Sequence, residues 1–169
     1  MRINVVPVQL LSDVHLRAEY REILMAPHYY RKSSKSEGGI KRELISDVYI
    51  LNKGHAMMWY DKMGYIKDRH DDLEKEMIIR GFKIREQYSL DLSFIPAADK
   101  KGYKPSIKDY KVNIERILLR IKDKYDKGKD TFYKHYGKNV TIEYWKSLYG
   151  NLLKKSWIPI VFHNVIKYN

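Results

Sequence analysis

The chain contains no cysteine in 169 residues, which excludes a disulfide framework and any zinc site built on thiolates. Closure must come from packing alone, which suits a reducing compartment, and an intracellular location is the expectation. No stretch approaches 18 uninterrupted apolar residues, so no membrane-spanning helix and no membrane partner is expected. The start lacks the basic region and long apolar run of a signal peptide. No glycine-rich phosphate loop is present, and the six histidines show no metal-ligand spacing, so neither a cofactor nor a metal is expected. Internal repeats are also missing.

What the chain does have is cationic charge. Lys plus Arg total 33 and Asp plus Glu 21, an excess of 12. An imbalance of that size suits a polyanion such as nucleic acid, although basic domains also bind anionic membrane surfaces. Fifteen tyrosines and three tryptophans accompany it, and rings interleaved with cations can stack on unpaired bases. Most of those tyrosines are expected in the core, with their hydroxyls wet.

The pattern along the chain is mainly α, in a single compact domain long enough to bury a core. Residues 3–11 are apolar but interrupted by Pro7. Ser12 or Asp13 can cap a helix starting near Val14, with Leu16, Tyr20 and Ile23 on one face and His15, Glu19 and Glu22 on a neighbouring one. Pro27 is expected to end or bend that helix, and residues 32–39 read as an exposed flexible loop. A second helix is predicted from Tyr65 to Ile79, burying Ile66, Leu73 and Met77 and closed by Arg80-Gly81. A third runs from Ser106 to Lys124 with an apolar stripe of Ile107, Ile114, Ile117, Leu118 and Ile121. On another face of it Arg116, Arg120 and Lys124 follow at i, i+4, i+8 as a cationic ridge. A further helical piece covers Thr141 to Leu153, and residues 157–166 are expected to pack as an extended tail.

The acid and base candidates are Glu22, His15 and the α-amine, whose reference pKa of roughly 7.7–8.0 leaves a nucleophilic fraction at neutral pH. Such an amine can attack C1′ of a deoxyribose, expel the base and leave an imine. The imine acidifies the C2′ proton, and β-elimination then breaks the 3′ phosphate bond. A nearby carboxylate stabilises positive charge and shuttles protons. Taken alone, a glutamate such as Glu22 on a helix is more often a solvated charge or an ion-pair partner.

A series of matched pieces decides between those readings: Arg2-Ile3-Asn4, His15-Leu16, Ala18-Glu19-Tyr20-Arg21-Glu22, Arg31-Lys32, Ile50-Leu51, Gly54-His55 and Tyr60-Asp61-Lys62. Arg80-Gly81-Phe82, Ile95-Pro96, Tyr133-Lys134 and Tyr136-Gly137-Lys138 complete it. In order and spacing, with no gap from Glu22 to His55, the chain resembles the pyrimidine-dimer DNA glycosylase/AP lyase family of T-even phages and other viruses (the endonuclease V type). The resemblance covers residues 1–138 and leaves 139–169 as a C-terminal extension without an assigned role.

The resemblance implies a compact domain of three principal helices with long loops and an N-terminal segment threading to the active site. It implies a monomeric, metal-independent enzyme acting on double-stranded DNA that carries a lesion. In the family the nucleophile is the α-amine of a threonine exposed by methionine removal. Here Met1 itself precedes Arg-Ile-Asn, and the bulky Arg2 blocks the usual aminopeptidase, so the Met1 amine falls in the nucleophile's register. Glu22 is implied as the catalytic carboxylate, Arg2 and Arg21 as phosphate contacts, and His15 as a pocket-lining residue. Arg120 and Lys124 match cations used at the cleaved phosphate. Arg116 shares their ridge, and Arg31 and Lys32 are further candidate DNA contacts.

Two departures bear on the substrate. Val14 stands where the family has glutamine, and Met25 where it has arginine, which removes a hydrogen-bonding group and a clamp worth about 1.5–3 kcal/mol. His28, Arg31 and Lys32 lie nearby in the sequence as candidates to compensate for that loss. Three readings follow: excision of a pyrimidine dimer, the same chemistry on a modified or hypermodified base, and an inactive DNA-binding protein on the same scaffold.

Overall fold

The computed structural model describes residues 2–52, 54–129 and 132–155, the side chain of Lys155 apart. The expected tail at 157–166 lies outside the described residues. The architecture is mainly helical, as the sequence patterning predicts. In chain order the α-helices are α1 (Asp13–Glu22), α2 (Met25–Ser34), α3 (Met63–Ile79), α4 (Ile107–Asp126) and α5 (Ile142–Lys155), linked by loops with short 3₁₀ turns. Among the described residues extended pairing is confined to two isolated bridges, Lys62 with Lys100 and His135 with Lys138.

Each helix begins and ends where local chemistry dictates. The Ser12 hydroxyl accepts the His15 amide at 3.1 Å and caps α1. Ser106 and Asp109 form a reciprocal capping box on α4, satisfying donors that a bare helix end would strand. At the end of α3 the Phe82 amide reaches the Met77 carbonyl and the Gly81 amide that of Ile78, both at 2.9 Å. Gly81 takes the positive φ of 73° that this wrap requires.

Pro27 neither ends nor bends α1. That helix stops at Glu22, two residues of turn follow, and Pro27 sits in the first turn of α2. A proline costs nothing there, because first-turn amides have no intrahelical partner. Helix α2 continues through Ser34, into the stretch expected to be loop. Its apolar contribution is small, Ala26, Pro27 and Tyr30 being its buried residues, which is why periodicity does not reveal it.

The core joins the buried faces of α1 (Leu16, Tyr20), α3 (Ile66, Leu73, Met77) and α4 (Ile114, Ile117, Ile121) with Ile3, Val5 and Val6 of the N-terminal segment. Helix α5 packs on α4, burying Trp145 and Tyr149 completely or nearly so. Among the described residues no helix is long and apolar enough to cross a membrane.

Candidate active site

The N-terminal segment is the centre of the site, and it is held by side chains rather than by a neighbouring strand. The Ile3 amide donates to His55 Nε2 at 3.2 Å, and the Ile3 carbonyl accepts from Tyr49 at 2.8 Å. The Asn4 amide donates to Glu19 Oε1 at 2.9 Å, and its carbonyl accepts from Tyr65 at 3.1 Å. Asn113 Oδ1 accepts two consecutive amides, Val5 at 2.8 Å and Val6 at 3.1 Å. The Val6 carbonyl accepts from Arg69 Nη1 at 2.7 Å. Buried main-chain groups without partners are costly, so this set of side chains fixes residues 3–6 in one position.

A second layer holds the first. Glu19 is almost fully buried and binds Arg69 through both oxygens, at 2.9 and 3.1 Å, while Oε2 also accepts from Asn4 Nδ2 at 2.5 Å. Burial opposes the charge on Arg69, but the Glu19 carboxylate outweighs it and raises the guanidinium pKa. Asn4 Oδ1 accepts from Asn113 Nδ2 at 2.9 Å and from Arg116 Nη2 at 2.5 Å. His55 is a neutral tautomer: Nε2 accepts, so Nδ1 carries the proton and donates to the Ile50 carbonyl at 2.6 Å. Burial lowers its pKa to about 4 against the pull of that carbonyl, with Arg116 adding to the effect.

Beside the segment, α1 and α4 bring together four of the residues singled out in the sequence. Arg2, His15, Arg116 and Arg120 line one small pocket with Asn4, Ala18, Glu19 and Ile117. The pocket measures about 10 Å³, room for about one water and too small to enclose a sugar or a base. Burial, then Arg116, Arg120 and Arg2 in turn, lower the His15 pKa to about 3. His15 is therefore a neutral imidazole at physiological pH. Its ring lies 4.7 Å from that of Tyr133, and its Nδ1 has no hydrogen-bond partner among the described residues. Arg120 has its pKa lowered by burial and by the charges of Arg2 and Arg116, while Glu22 acts in the opposite sense. Among the described residues no ion pair joins Arg2, Arg116 or Arg120 to a carboxylate. Three mutually repelling guanidinium groups gathered this way form a site for an anion.

A family model described as pyrimidine dimer DNA glycosylase matches residues 1–90. The chain belongs to the pyrimidine dimer DNA glycosylase family. Membership makes it a DNA-repair glycosylase whose substrate class is DNA containing pyrimidine dimers. The matched residues carry Arg2, His15, Glu19 and Glu22, whereas α4, with Asn113, Arg116, Arg120 and Lys124, lies beyond them.

The remaining candidates fall elsewhere. Met1 lies outside the described residues. Glu22, the last residue of α1, is half-buried and acts electrostatically on Arg120. Arg21 is exposed, donates to the Arg17 carbonyl at 3.1 Å, and lines a separate groove with Tyr20, Phe82 and Lys83. The Lys124 ammonium sits 5.1 Å from the Phe132 ring centre, next to Tyr133. Arg31 and Lys32 are exposed on α2 and do not line the arginine pocket; Arg31 stacks its guanidinium 3.9 Å from the Phe94 ring centre.

Sequence reasoning missed the roles of Asn4, Glu19, Arg69 and Asn113. One signal was available for Arg69: it falls between Ile66 and Leu73 at the helical spacing of the buried stripe, where a charge demands a buried partner. Asn113, next to Ile114, carried no comparable signal.

Proposed function

We propose that the chain is a bifunctional DNA glycosylase and AP lyase whose nucleophile is the α-amine of a retained Met1. The amine adds to C1′ of the damaged nucleotide. The glycosidic bond breaks, its electron pair leaves with the base, and an iminium joins Met1 to the opened sugar. Loss of the C2′ proton feeds electrons into the C3′–O3′ bond, which breaks and releases the 3′ phosphate. Water then hydrolyses the imine and frees the amine. Glu22 stabilises the positive charge and carries the C2′ proton, the part a positioned carboxylate takes in general acid–base catalysis. The imine is the electron sink, so this route calls for neither metal nor cofactor.

The observation that supports the reading is the side-chain cradle on residues 3–6 set against the arginine pocket. Holding a nucleophile in place converts a bimolecular attack into an intramolecular one, the largest gain available to an amine of ordinary reactivity. Arg2, Arg116 and Arg120 would bind phosphates beside the site and Arg21 and Lys124 those at its edges, while Arg31 and Lys32 extend the basic face. In this reading the protein works as a monomer on double-stranded DNA, extruding a nucleotide to reach the sugar.

Borohydride trapping on duplexes carrying a thymine dimer, an abasic site or a modified cytosine, followed by mass spectrometry of the adduct, is the test. We expect a Met1 adduct on the dimer duplex, and a loss of about 10²–10⁴-fold in trapping rate with Glu22→Gln. An adduct on the abasic duplex alone keeps the lyase and removes the dimer as substrate. No adduct on any duplex overturns the mechanism.

A further inference from the structure

We propose that a second groove, distinct from the arginine pocket, binds an unpaired stretch of DNA. The inference rests on reading the protein as a DNA enzyme. The groove lies between the N-terminal half of α1, the end of α3 and the segment from Phe132 to Tyr144, and measures about 720 Å³, the size of sites that enclose small organic groups. Arg17, Lys134 and Lys138 line it together with Phe82, Phe132 and Tyr144.

Its charge is one-sided. Asp13 is the one carboxylate in the lining, and it is already neutralised, by Arg80 at 2.9 Å and by the amides of Tyr136 at 3.2 Å and Gly137 at 2.8 Å. What faces the groove is therefore cationic and aromatic. Phe132 and Tyr144 are 41 % and 38 % exposed, large rings left in water beside cations. A base pair inside a duplex hides its ring faces, whereas an unpaired nucleotide offers a face to stack and a phosphate to pair within one short unit. That combination selects single-stranded over double-stranded ligand.

The walls are preformed. Asp13 pins the 135–138 turn to the start of α1, and the Arg80 guanidinium lies 4.2 Å from the Tyr136 ring centre. His135 Nε2 donates to the Gln9 carbonyl at 2.8 Å, so its Nδ1 accepts the Tyr144 hydroxyl at 2.6 Å and holds that ring in place. Tyr144 comes from α5, so the C-terminal extension supplies one wall of the site. Continuity with the arginine pocket runs through rings: Phe132 packs edge-on against Tyr133 at 4.9 Å, and Tyr133 lies 4.7 Å from His15.

The test is fluorescence anisotropy with a short labelled oligothymidylate that has neither dimer nor abasic site, titrated across a salt series. Phe132→Ala and Tyr144→Ala should each weaken binding about tenfold, and the double variant Lys134→Ala/Lys138→Ala should reduce the salt slope by about 1.4, or roughly 0.7 per phosphate. Tyr144→Phe, which keeps the ring and loses the hydroxyl that holds it, should weaken binding less than Tyr144→Ala. Affinities unchanged in folded ring variants overturn the proposal, as does equal weakening by Tyr144→Phe. Displacement of the oligothymidylate by polyglutamate at equal charge would reduce the groove to a general anion patch and also overturn it. Because the probe cannot form an imine, failed trapping with this binding intact overturns only the lyase reading, and the converse result overturns only the groove.

Discussion

Two glutamates three residues apart on α1 have different work to do. Glu19 is buried and spent on structure, binding Arg69 with both oxygens and Asn4 with one side-chain and one main-chain contact. Glu22 is half-buried at the helix end, where its charge reaches Arg120. Glu19→Gln keeps the shape and removes the charge, leaving the Arg69 guanidinium buried without a counter-ion. Breaking such a pair from one side costs about 3–5 kcal/mol, and urea unfolding should register a loss of that order. A change below about 1 kcal/mol would show that Glu19 does not anchor the segment.

At the scale of elements, close approach decides more than propensity. Helix α3 begins against the 100–101 loop: the Tyr65 amide donates to the Lys101 carbonyl at 3.2 Å, and the Lys101 amide to the Asp61 carbonyl at 3.2 Å. A Cβ built on Gly64 would lie 2.4 Å from the Lys100 carbonyl oxygen and 2.9 Å from that of Lys101. Both are backbone atoms and cannot swing aside. Helix propensity alone favours Gly64→Ala by up to ~1 kcal/mol, but separating the two chains costs about 1–3 kcal/mol, so thermal unfolding should show net destabilisation. A raised melting temperature would mean that the loop yields freely.

For the whole molecule the governing quantity is the excess of 12 positive charges, which sets encounter with DNA at long range. Arg120→Ala and Lys124→Ala should each flatten the dependence of duplex affinity on salt by about 0.9, one phosphate contact apiece. Slopes equal to that of the wild type would remove both residues from the interface. The proposed lyase step can be tested apart from this electrostatic one, since a Glu22→Gln protein retains every cation of the basic surface.

The sequence by itself determined the helical class, a cap at Ser12 or Asp13, the buried stripe of α3, that of α4 at Ile114, Ile117 and Ile121 though not at the exposed Ile107, and the Arg116–Arg120 ridge. Each of these is local, set by periods of three and four residues and by the end chemistry of a single helix. The family was legible for a related reason, because the Arg2-Ile3-Asn4 and Ala18–Glu22 pieces lie within one short stretch. Helix α2 was hidden because few of its residues are buried and Pro27, read in isolation, marks a stop rather than a first turn. Only the tertiary structure decided that Asn113 binds Val5 and Val6 and that Arg69 crosses to Glu19. It likewise decided that Arg116 turns from the ridge toward Asn4 and that α5 completes a groove with α1. Those contacts join residues 50 or more positions apart in every case, and their partners are chosen by packing geometry and the need to satisfy buried polar groups, neither of which leaves a periodic mark in the chain.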